Sequence, residues 1–369
     1  MVEDTPHTNP PQEESEPLAA YCHRLDDGRI QCDLCPRHCK LREAQRGFCF
    51  VRACQAGQIV STTYGRSSGY CVDPIEKKPL NHFLPGTPVL SFGTAGCNLG
   101  CKFCQNWDLS TSRQMDVLAD SASPERIAQA AEQLRCRSVA LTYNDPVIFI
   151  EYAIDVARAC RQRGIHVVAV TAGEICDQPR EAFFRHIDAA NVDLKAFDDN
   201  FYRRLCGLPL QPVLDTLVYL KHETSVWFEI TTLVIPGHND SDSELERMTG
   251  WVVERLGPDV PWHFTGFHPA HQMREVPSTP AHTLQRARQI ARNNGVRYAY
   301  TGNLHDKVSQ STYCHRCGHV LIGRDGYTLS DWNLTAEGAC RGCGTPCSGV
   351  FFGLPGTWGS RRMPVRLGG

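Results

Sequence analysis

Cys97, Cys101 and Cys104 stand in Gly96-Cys97-Asn98-Leu99-Gly100-Cys101-Lys102-Phe103-Cys104, a C-x3-C-x2-C spacing with no fourth cysteine nearby. Three thiolates on one short loop hold three irons of a [4Fe-4S] cluster and leave the fourth iron an open coordination position. An open position lets a metal centre bind a ligand and act on it, as a catalytic zinc site does. The run Val89-Leu-Ser-Phe-Gly-Thr-Ala95 reads as a strand feeding the loop. Gly96 and Gly100 provide for positive φ, so the loop can wrap closely around an inorganic core. A zinc knuckle missing one ligand, or three core thiols, competes with that assignment.

Beyond the loop the chain alternates strand and helix. Candidate strands are 89–95, 138–143, 165–171, 190–195, 226–234, 262–267 and 296–301. Most are short apolar runs with little alternation, as parallel strands buried on both faces require. Ser123-Pro124-Glu125 reads as a helix start, with Ser at the N-cap and Pro in the first turn. Ser241-Asp-Ser-Glu244 reads as a capping box for a helix through Leu256, and Gly164 ends a helix near 147–163. Six or seven such strands imply a partial (β/α)6-type barrel rather than a closed eightfold one, flanked by small N-terminal and C-terminal Cys-rich metal-binding segments. The expected division is a disordered, Pro- and Glu-rich lead over 1–20, a Cys-rich segment over 21–80, the barrel over 81–303, and a ribbon-like segment with a Gly/Pro-rich tail over 304–369.

Nineteen cysteines fall mostly into three tight clusters, which is metal-site usage rather than a secreted disulfide framework. The start, Met1-Val-Glu-Asp-Thr-Pro6, is acidic and does not read as a signal peptide. No apolar run approaches the ~20 residues of a membrane span. A reducing cytoplasm is the expected location. The formal net charge of -2 offers no global basic field for nucleic acid.

In α/β folds ligands bind at the carboxyl ends of the strands. The polar residues there are Thr142-Tyr143-Asn144-Asp145-Pro146, Thr171-Ala172-Gly173, Asp193-Leu194-Lys195, Pro236-Gly-His-Asn-Asp240 and His263-Phe-Thr-Gly-Phe-His268. Together they would ring one cavity with amide, carboxylate, ammonium and imidazole groups. Each also has a plainer use. Asn144-Asp145-Pro146 suits a turn, and Asp193 with Lys195 suits a buried ion pair.

The Cys97–Cys104 loop resembles the signature of the radical S-adenosylmethionine (SAM) enzymes. That resemblance implies that the open iron is chelated by the amino and carboxylate groups of SAM and that Phe103 helps hold the adenine. Residues 72–110, from Val72-Asp-Pro-Ile-Glu-Lys-Lys-Pro79 to Cys104-Gln-Asn-Trp-Asp-Leu-Ser110, resemble more narrowly the radical SAM member of the AmmeMemoRadiSam system. This family is similar to the pyruvate formate-lyase activating enzymes. The resemblance continues in Thr142-Tyr-Asn-Asp-Pro146, Asn191-Val-Asp-Leu-Lys-Ala-Phe197, Glu229-Ile-Thr-Thr-Leu-Val-Ile-Pro-Gly237 and Tyr300-Thr-Gly-Asn303. It implies that Asn144 and Asp145 take the place of a Gly-Gly-Glu motif at the SAM amino group. Thr171, Asp193 and Lys195 would lie near the SAM carboxylate and ribose, and His268 would join them from the sixth strand end. The family has Glu where this chain has Asp145. The activating enzymes have Asp where this chain has Val170, which argues against a bound monovalent cation there.

The implied activity is reductive cleavage of SAM to a 5'-deoxyadenosyl radical that abstracts hydrogen from a substrate, an oxidoreductase chemistry needing no acid-base dyad from the protein. Implied partners are SAM, a one-electron donor such as a ferredoxin or flavodoxin, and Memo-like and AMMECR-like proteins; no membrane is expected, and for nucleic acid only a local basic patch stays open. A glycyl-radical-enzyme activating enzyme is one alternative. A non-catalytic iron-sulfur electron carrier with a zinc-ribbon binding module is another.

Two further cysteine sets flank the barrel. Cys314-x2-Cys317 and Cys340-x2-Cys343 form a zinc ribbon, with Val320-Leu-Ile and Tyr327-Thr-Leu as a hairpin around Gly323-Arg-Asp-Gly326. Cys32-x2-Cys35-Pro36-x2-Cys39 with Cys49 completes a second four-thiolate set, suited equally to zinc and to an auxiliary [4Fe-4S] cluster. Cys136, Cys160, Cys176 and Cys206 stand alone and read as small hydrophobes, with Cys206 beside a loop. Trp358 lies in a Gly-Leu-Pro-Gly-Thr tail and could anchor a partner or pack back onto the ribbon.

Overall fold

The computed structural model describes residues 18–112, 118 and 120–367. Seven parallel strands lie side by side in chain order: Pro88–Phe92, Ser138–Leu141, His166–Thr171, Ala189–Asp193, Trp227–Val234, Trp262–Gly266 and Ala299–Gly302. The apolar runs foreseen as strands fall on all seven. Most of their side chains are buried, because helices cover one face and the barrel interior the other. Tyr70–Pro74 adds antiparallel to the first parallel strand, and Met363–Val365 adds antiparallel to it in turn. The sheet has Ala299–Gly302 at one edge and Met363–Val365 at the other, so it is a partial barrel, with all seven of the expected parallel strands present.

The helices between the strands start as their sequences specify. Ser123 Oγ accepts from Arg126 N at 3.2 Å and Pro124 opens Pro124–Gln133. Gly164, at φ +67°, closes the turn after Ile150–Gln162. Ser241 Oγ accepts from Glu244 N at 3.4 Å at the start of Asp242–Leu256. The expected capping box does not close, because the Glu244 carboxylate accepts instead from Phe197 N at 2.8 Å. A side chain that could cap its own helix is used to hold the loop after the fourth parallel strand.

The flanking segments are fastened to this frame. Residues 1–17 of the acidic lead lie outside the described residues; Leu18 bridges Val60 and Ala19 is buried. The N-terminal Cys-rich segment contains Cys22–Arg24, Ile30–Cys32 and Lys40–Leu41 as a three-stranded sheet, and Arg52–Gln55 with Gln58–Ser61 as a hairpin. Tyr70–Pro74, assigned above to that segment, is part of the main sheet. The C-terminal ribbon is a three-stranded sheet of Thr312–Tyr313, Val320–Asp325 and Thr328–Trp332. Its turn falls at Gly326-Tyr327, with Gly326 at φ +61°, and Gly323 lies within the strand rather than in the turn. Trp358 is partly buried against the barrel's core cluster. Its backbone N donates to Gly86 O at 2.9 Å and its indole to Arg361 O at 2.9 Å, so the tail returns to the barrel.

Two buried polar centres join ribbon and barrel. Glu229 accepts from Asn81 N (3.0 Å), His82 N (2.7 Å), Trp227 Nε1 (3.1 Å) and His263 Nε2 (2.7 Å). Burial would raise this carboxyl, but His263 and the other donors hold it below its usual value. His82 Nδ1 lies 2.6 Å from Ser348 O and Nε2 2.5 Å from the Tyr300 hydroxyl, so a neutral ring donates to one and accepts from the other. Burial lowers its pKa to about 4. Below pH 6.5 the unfolded imidazole takes up a proton that the folded one refuses. The stability this supplies is present above 6.5 and is lost as pH falls towards 4. The loss should reach roughly 3 kcal/mol, read as the denaturant midpoint of the wild type against His82→Gln across that window. Parallel pH profiles for the two proteins would refute it.

Candidate active site

The first parallel strand ends at Phe92, and the cysteine loop after it is held from several sides. Asn144 Oδ1 accepts from Thr94 N at 3.2 Å and Asn144 Nδ2 donates to Gly96 O at 2.7 Å. Gly100 N donates to Cys206 O at 2.8 Å and Lys102 N to Leu205 O at 2.9 Å. Gln272 N donates to Lys102 O at 2.9 Å. Gly96 adopts φ +82°, and a Cβ there would overlap the Cys49 carbonyl oxygen. Gly100 is needed only for space, since its φ is not positive and a Cβ would stand 3.3 Å from the Phe48 ring.

Gly96→Ala should therefore displace the loop and at least halve the iron retained on it, with several kcal/mol of stability lost. Gly164→Ala, at φ +67° with nothing within 4 Å, should cost only about 1 kcal/mol and leave iron unchanged. Equal iron content in the two variants would show that the close approach at Gly96 does not matter. The measurement is iron per chain after anaerobic reconstitution, alongside the unfolding midpoint.

Beside the loop, at the carboxyl ends of the strands, is a cavity of about 830 Å³. Cys97, Cys101 and Cys104 are the cysteines in its wall. Burial pushes the Cys97 thiol far above its usual value. A hydrogen bond with Cys206 and then burial do the same at Cys101. Burial raises Cys104, opposed by the Ser110 hydroxyl at 3.2 Å. Three thiols so placed ionise only with a cationic centre between them. Their sulfurs do not crowd within 4.8 Å of one another, a separation that suits a multi-iron core rather than a single ion.

Six of the seven residues foreseen as SAM contacts, Phe103, Asn144, Asp145, Thr171, Asp193 and Lys195, line this cavity. Their side chains divide by what they already hold. Phe103 is buried, with its ring 5.8 Å from that of Phe201. Asn144 is committed to the cysteine loop. Asp145 accepts from Val147 N (3.1 Å), Thr171 Oγ1 (2.9 Å) and Ala172 N (2.9 Å), which ties the second strand end to the third. Burial raises its pKa, and those donors oppose the rise. Lys195 Nζ pairs with Asp193 at 2.7 Å, the ion pair foreseen as the plainer use, and both still face the cavity. Burial would lower Lys195, but Asp193 holds it well above its usual value.

His268 does not join them: it is exposed in the loop beyond the sixth parallel strand and does not line the cavity. His263, inside that strand, does, because its ring reaches inward to Glu229. Behind the lining residues Lys77, Lys78 and Tyr143 stands a group that no spacing announced. Buried Asp73 pairs with Lys78 at 2.7 Å and Lys77 at 3.2 Å, and accepts from the Tyr143 hydroxyl at 3.0 Å. Burial alone would raise Asp73, yet Lys78 and its other partners bring it to about 2. Burial lowers Lys78 to about 8, against the pull of Asp73. Cys206, read as an isolated thiol, lies against Cys101, and its only sequence signal was the adjoining Gly207.

Residues 92–248, which contain the cysteine loop and most of these strand ends, match the Radical SAM superfamily. The chain is also 37% identical over 327 residues to "Uncharacterized protein MJ0808" of Methanocaldococcus jannaschii, covering 88% of this chain and 97% of that one. The chain belongs to the radical SAM superfamily. It is 25% identical over 198 residues to the pyruvate formate-lyase 1-activating enzyme of Escherichia coli K12, covering 50% of this chain and 77% of the other. Among solved structures, a radical SAM methyltransferase from Sphaerobacter thermophilus superposes with a TM-score of 0.48 at 18% identity, covering 64% of this chain and 71% of that one. This is an enzyme of the radical SAM class, and the electron-carrier alternative is set aside. Radical SAM enzymes use a [4Fe-4S] cluster and SAM. The three cysteines at the wall of an 830 Å³ cavity fit that pair of groups.

The ribbon gathers a different donor set. Cys314, Cys317, Cys340 and Cys343 place all four sulfurs within 4.8 Å of one another. Cys314 to Cys343 is 3.6 Å and Cys317 to Cys340 is 3.8 Å. A tetrahedron of thiolates about 2.3 Å from one zinc has edges of about 3.8 Å. No helix among the described residues is long and apolar enough to cross a membrane.

Proposed function

We propose that this radical SAM enzyme binds SAM in the strand-end cavity, against a cluster held by Cys97, Cys101 and Cys104, and removes hydrogen from a substrate bound in the same cavity. The observation that carries this is the placing of three cysteines on one loop in the wall of a cavity of about 830 Å³. Bound there, the cluster and SAM supply a one-electron cleavage to methionine and a 5'-deoxyadenosyl radical. The chain positions and encloses them. Phe103 offers an apolar wall to the adenine, and Lys195 with Asp193 offers charge to the carboxylate and ribose hydroxyls. Asn144 and Asp145 act one step back, holding the cysteine loop and the second and third strand ends in register. The cavity keeps stray hydrogen donors from the reacting carbon. Reconstituted protein incubated anaerobically with dithionite and SAM should yield 5'-deoxyadenosine by chromatography. None from a fully loaded, reduced sample would refute the assignment.

The relatives named as activating enzymes favour a second version, in which the hydrogen comes from a glycine of a large partner enzyme. A glycyl-radical EPR signal on a candidate partner after turnover distinguishes it. The resemblance to the AmmeMemoRadiSam group supports the view that Memo-like and AMMECR-like proteins hold or are the substrate. Adding each should change the rate of SAM cleavage, and an unchanged rate with both would remove that view. We assign zinc to the ribbon quartet on its tetrahedral spacing, and a reducing cytoplasm on nineteen cysteines without a disulfide.

A further inference from the structure

We propose that Cys32, Cys35, Cys39 and Cys49 hold a second [4Fe-4S] cluster, not zinc, in a pocket that shares a wall with the catalytic cysteine loop. All four cysteines line one small cavity with an almost wholly apolar wall, together with Arg37, Arg52 and Asn98. Among the described residues, the thiols gathered within 4.8 Å of one another are those of the ribbon, and these four are not. One zinc draws its thiolates to the edges of a small tetrahedron, about 3.8 Å. A cubane holds its four ligands further apart, because four irons and four sulfides stand between them. The catalytic trio shows the same wider separation.

The walls suit an inorganic core with sulfides of its own. Gly47 stands between two of the ligands: a Cβ there would be 3.7 Å from Cys49 Sγ and 3.8 Å from Cys39 Sγ, in the space between them. Arg52 is 1% exposed, pairs with Glu151 at 3.0 Å and donates to Ala20 O at 2.5 Å. Its Nε has no partner in the protein, although this residue lines the cavity. A buried, unpartnered guanidinium N–H beside Cys32 and Cys49 is the kind of donor that stabilises an anionic iron-sulfur core.

The place of the pocket is as informative as its donors. The Cys49 carbonyl is what forbids a side chain at Gly96. Asn98 lies between Cys97 and the N-terminal pocket, and its carbonyl accepts from Arg37 Nε. Arg37 feels Cys35, Cys39 and Cys97 together. The catalytic loop and the N-terminal pocket therefore share the backbone at Gly96 to Asn98 as a common wall.

The test uses the full chain with Cys97, Cys101 and Cys104 all changed to alanine, which leaves the SAM-binding cluster out of the measurement. After anaerobic reconstitution with iron and sulfide it should retain about four irons and one zinc, and dithionite should produce an EPR signal indifferent to SAM. Two zincs and no iron would overturn the proposal. Should that variant fail to fold, the wild type decides: about eight irons to one zinc supports the second cluster, and about four irons to two zincs refutes it. Cys35→Ala with Cys49→Ala should remove about four irons and keep the SAM-responsive signal. Iron unchanged in that double variant would also overturn it.

Discussion

Changing Cys97, Cys101 and Cys104 together to alanine should reduce 5'-deoxyadenosine formation to the background of a protein-free control. No other group in the cavity wall can replace the trio. Cys206 lies against Cys101, but it is fully buried and its backbone is engaged with Gly100. The charged groups at the strand ends are already engaged: Asp145 with Thr171 and Ala172, Lys195 with Asp193, His263 with Glu229. The fold should survive, because the loop is held through its backbone by Asn144, Cys206 and Leu205 rather than through its thiols. Removing three thiols that burial keeps protonated leaves no unpaired charge behind. Circular dichroism and SAM-cleavage chromatography on the same sample separate loss of chemistry from loss of fold. A triple variant that still cleaves SAM would end the assignment of this loop.

Cys340→Ser should lower zinc content by one per chain and open residues 305–350 to protease. The apolar cluster of the ribbon is small, built around Tyr298, Tyr300, Leu321, Ile322 and Leu334. Such a segment depends on its metal, and structural zinc is worth about 10–16 kcal/mol in peptides of this kind. The consequence extends to the barrel. Arg324 is buried and donates to Asn81 O at 2.7 Å and to Thr312 Oγ1 at 2.7 Å, and with Gly326 and Tyr327 it lines the catalytic cavity. Loosening the ribbon removes that wall and admits water, so SAM cleavage uncoupled from substrate should rise while substrate turnover falls. Unchanged zinc stoichiometry would count against the quartet as ligands. Full zinc loss with an intact, protease-resistant ribbon would show that its apolar contacts suffice.

The cysteine sets and strand order were legible in the chain because both are local. Ligand spacing along a loop is set by the loop, and a parallel strand buried on both faces shows itself as a short apolar run. The orientation of side chains at the strand ends was not local. His263 and His268 belong to one strand and its exit, yet the first meets Glu229 inside and the second faces solvent. Asn144, expected as a cofactor contact, lines the cavity and also braces the cysteine loop, a second use hidden because its partners Thr94 and Gly96 lie 50 and 48 residues away.

The sequence by itself determined the three cysteine sets, the alternation of strand and helix, and hence a barrel with a cluster loop at the carboxyl end of its first parallel strand. The tertiary structure alone decided what those sets neighbour and how widely each opens. Spacing cannot say whether four thiolates converge to a tetrahedron or stand apart, since that depends on the walls behind them. Nor could spacing bring Cys49 against Gly96, or Arg324 to Asn81 across 243 residues of chain, to complete the wall of the cavity. Such contacts arise when separate apolar surfaces must be buried together, and no single segment records that.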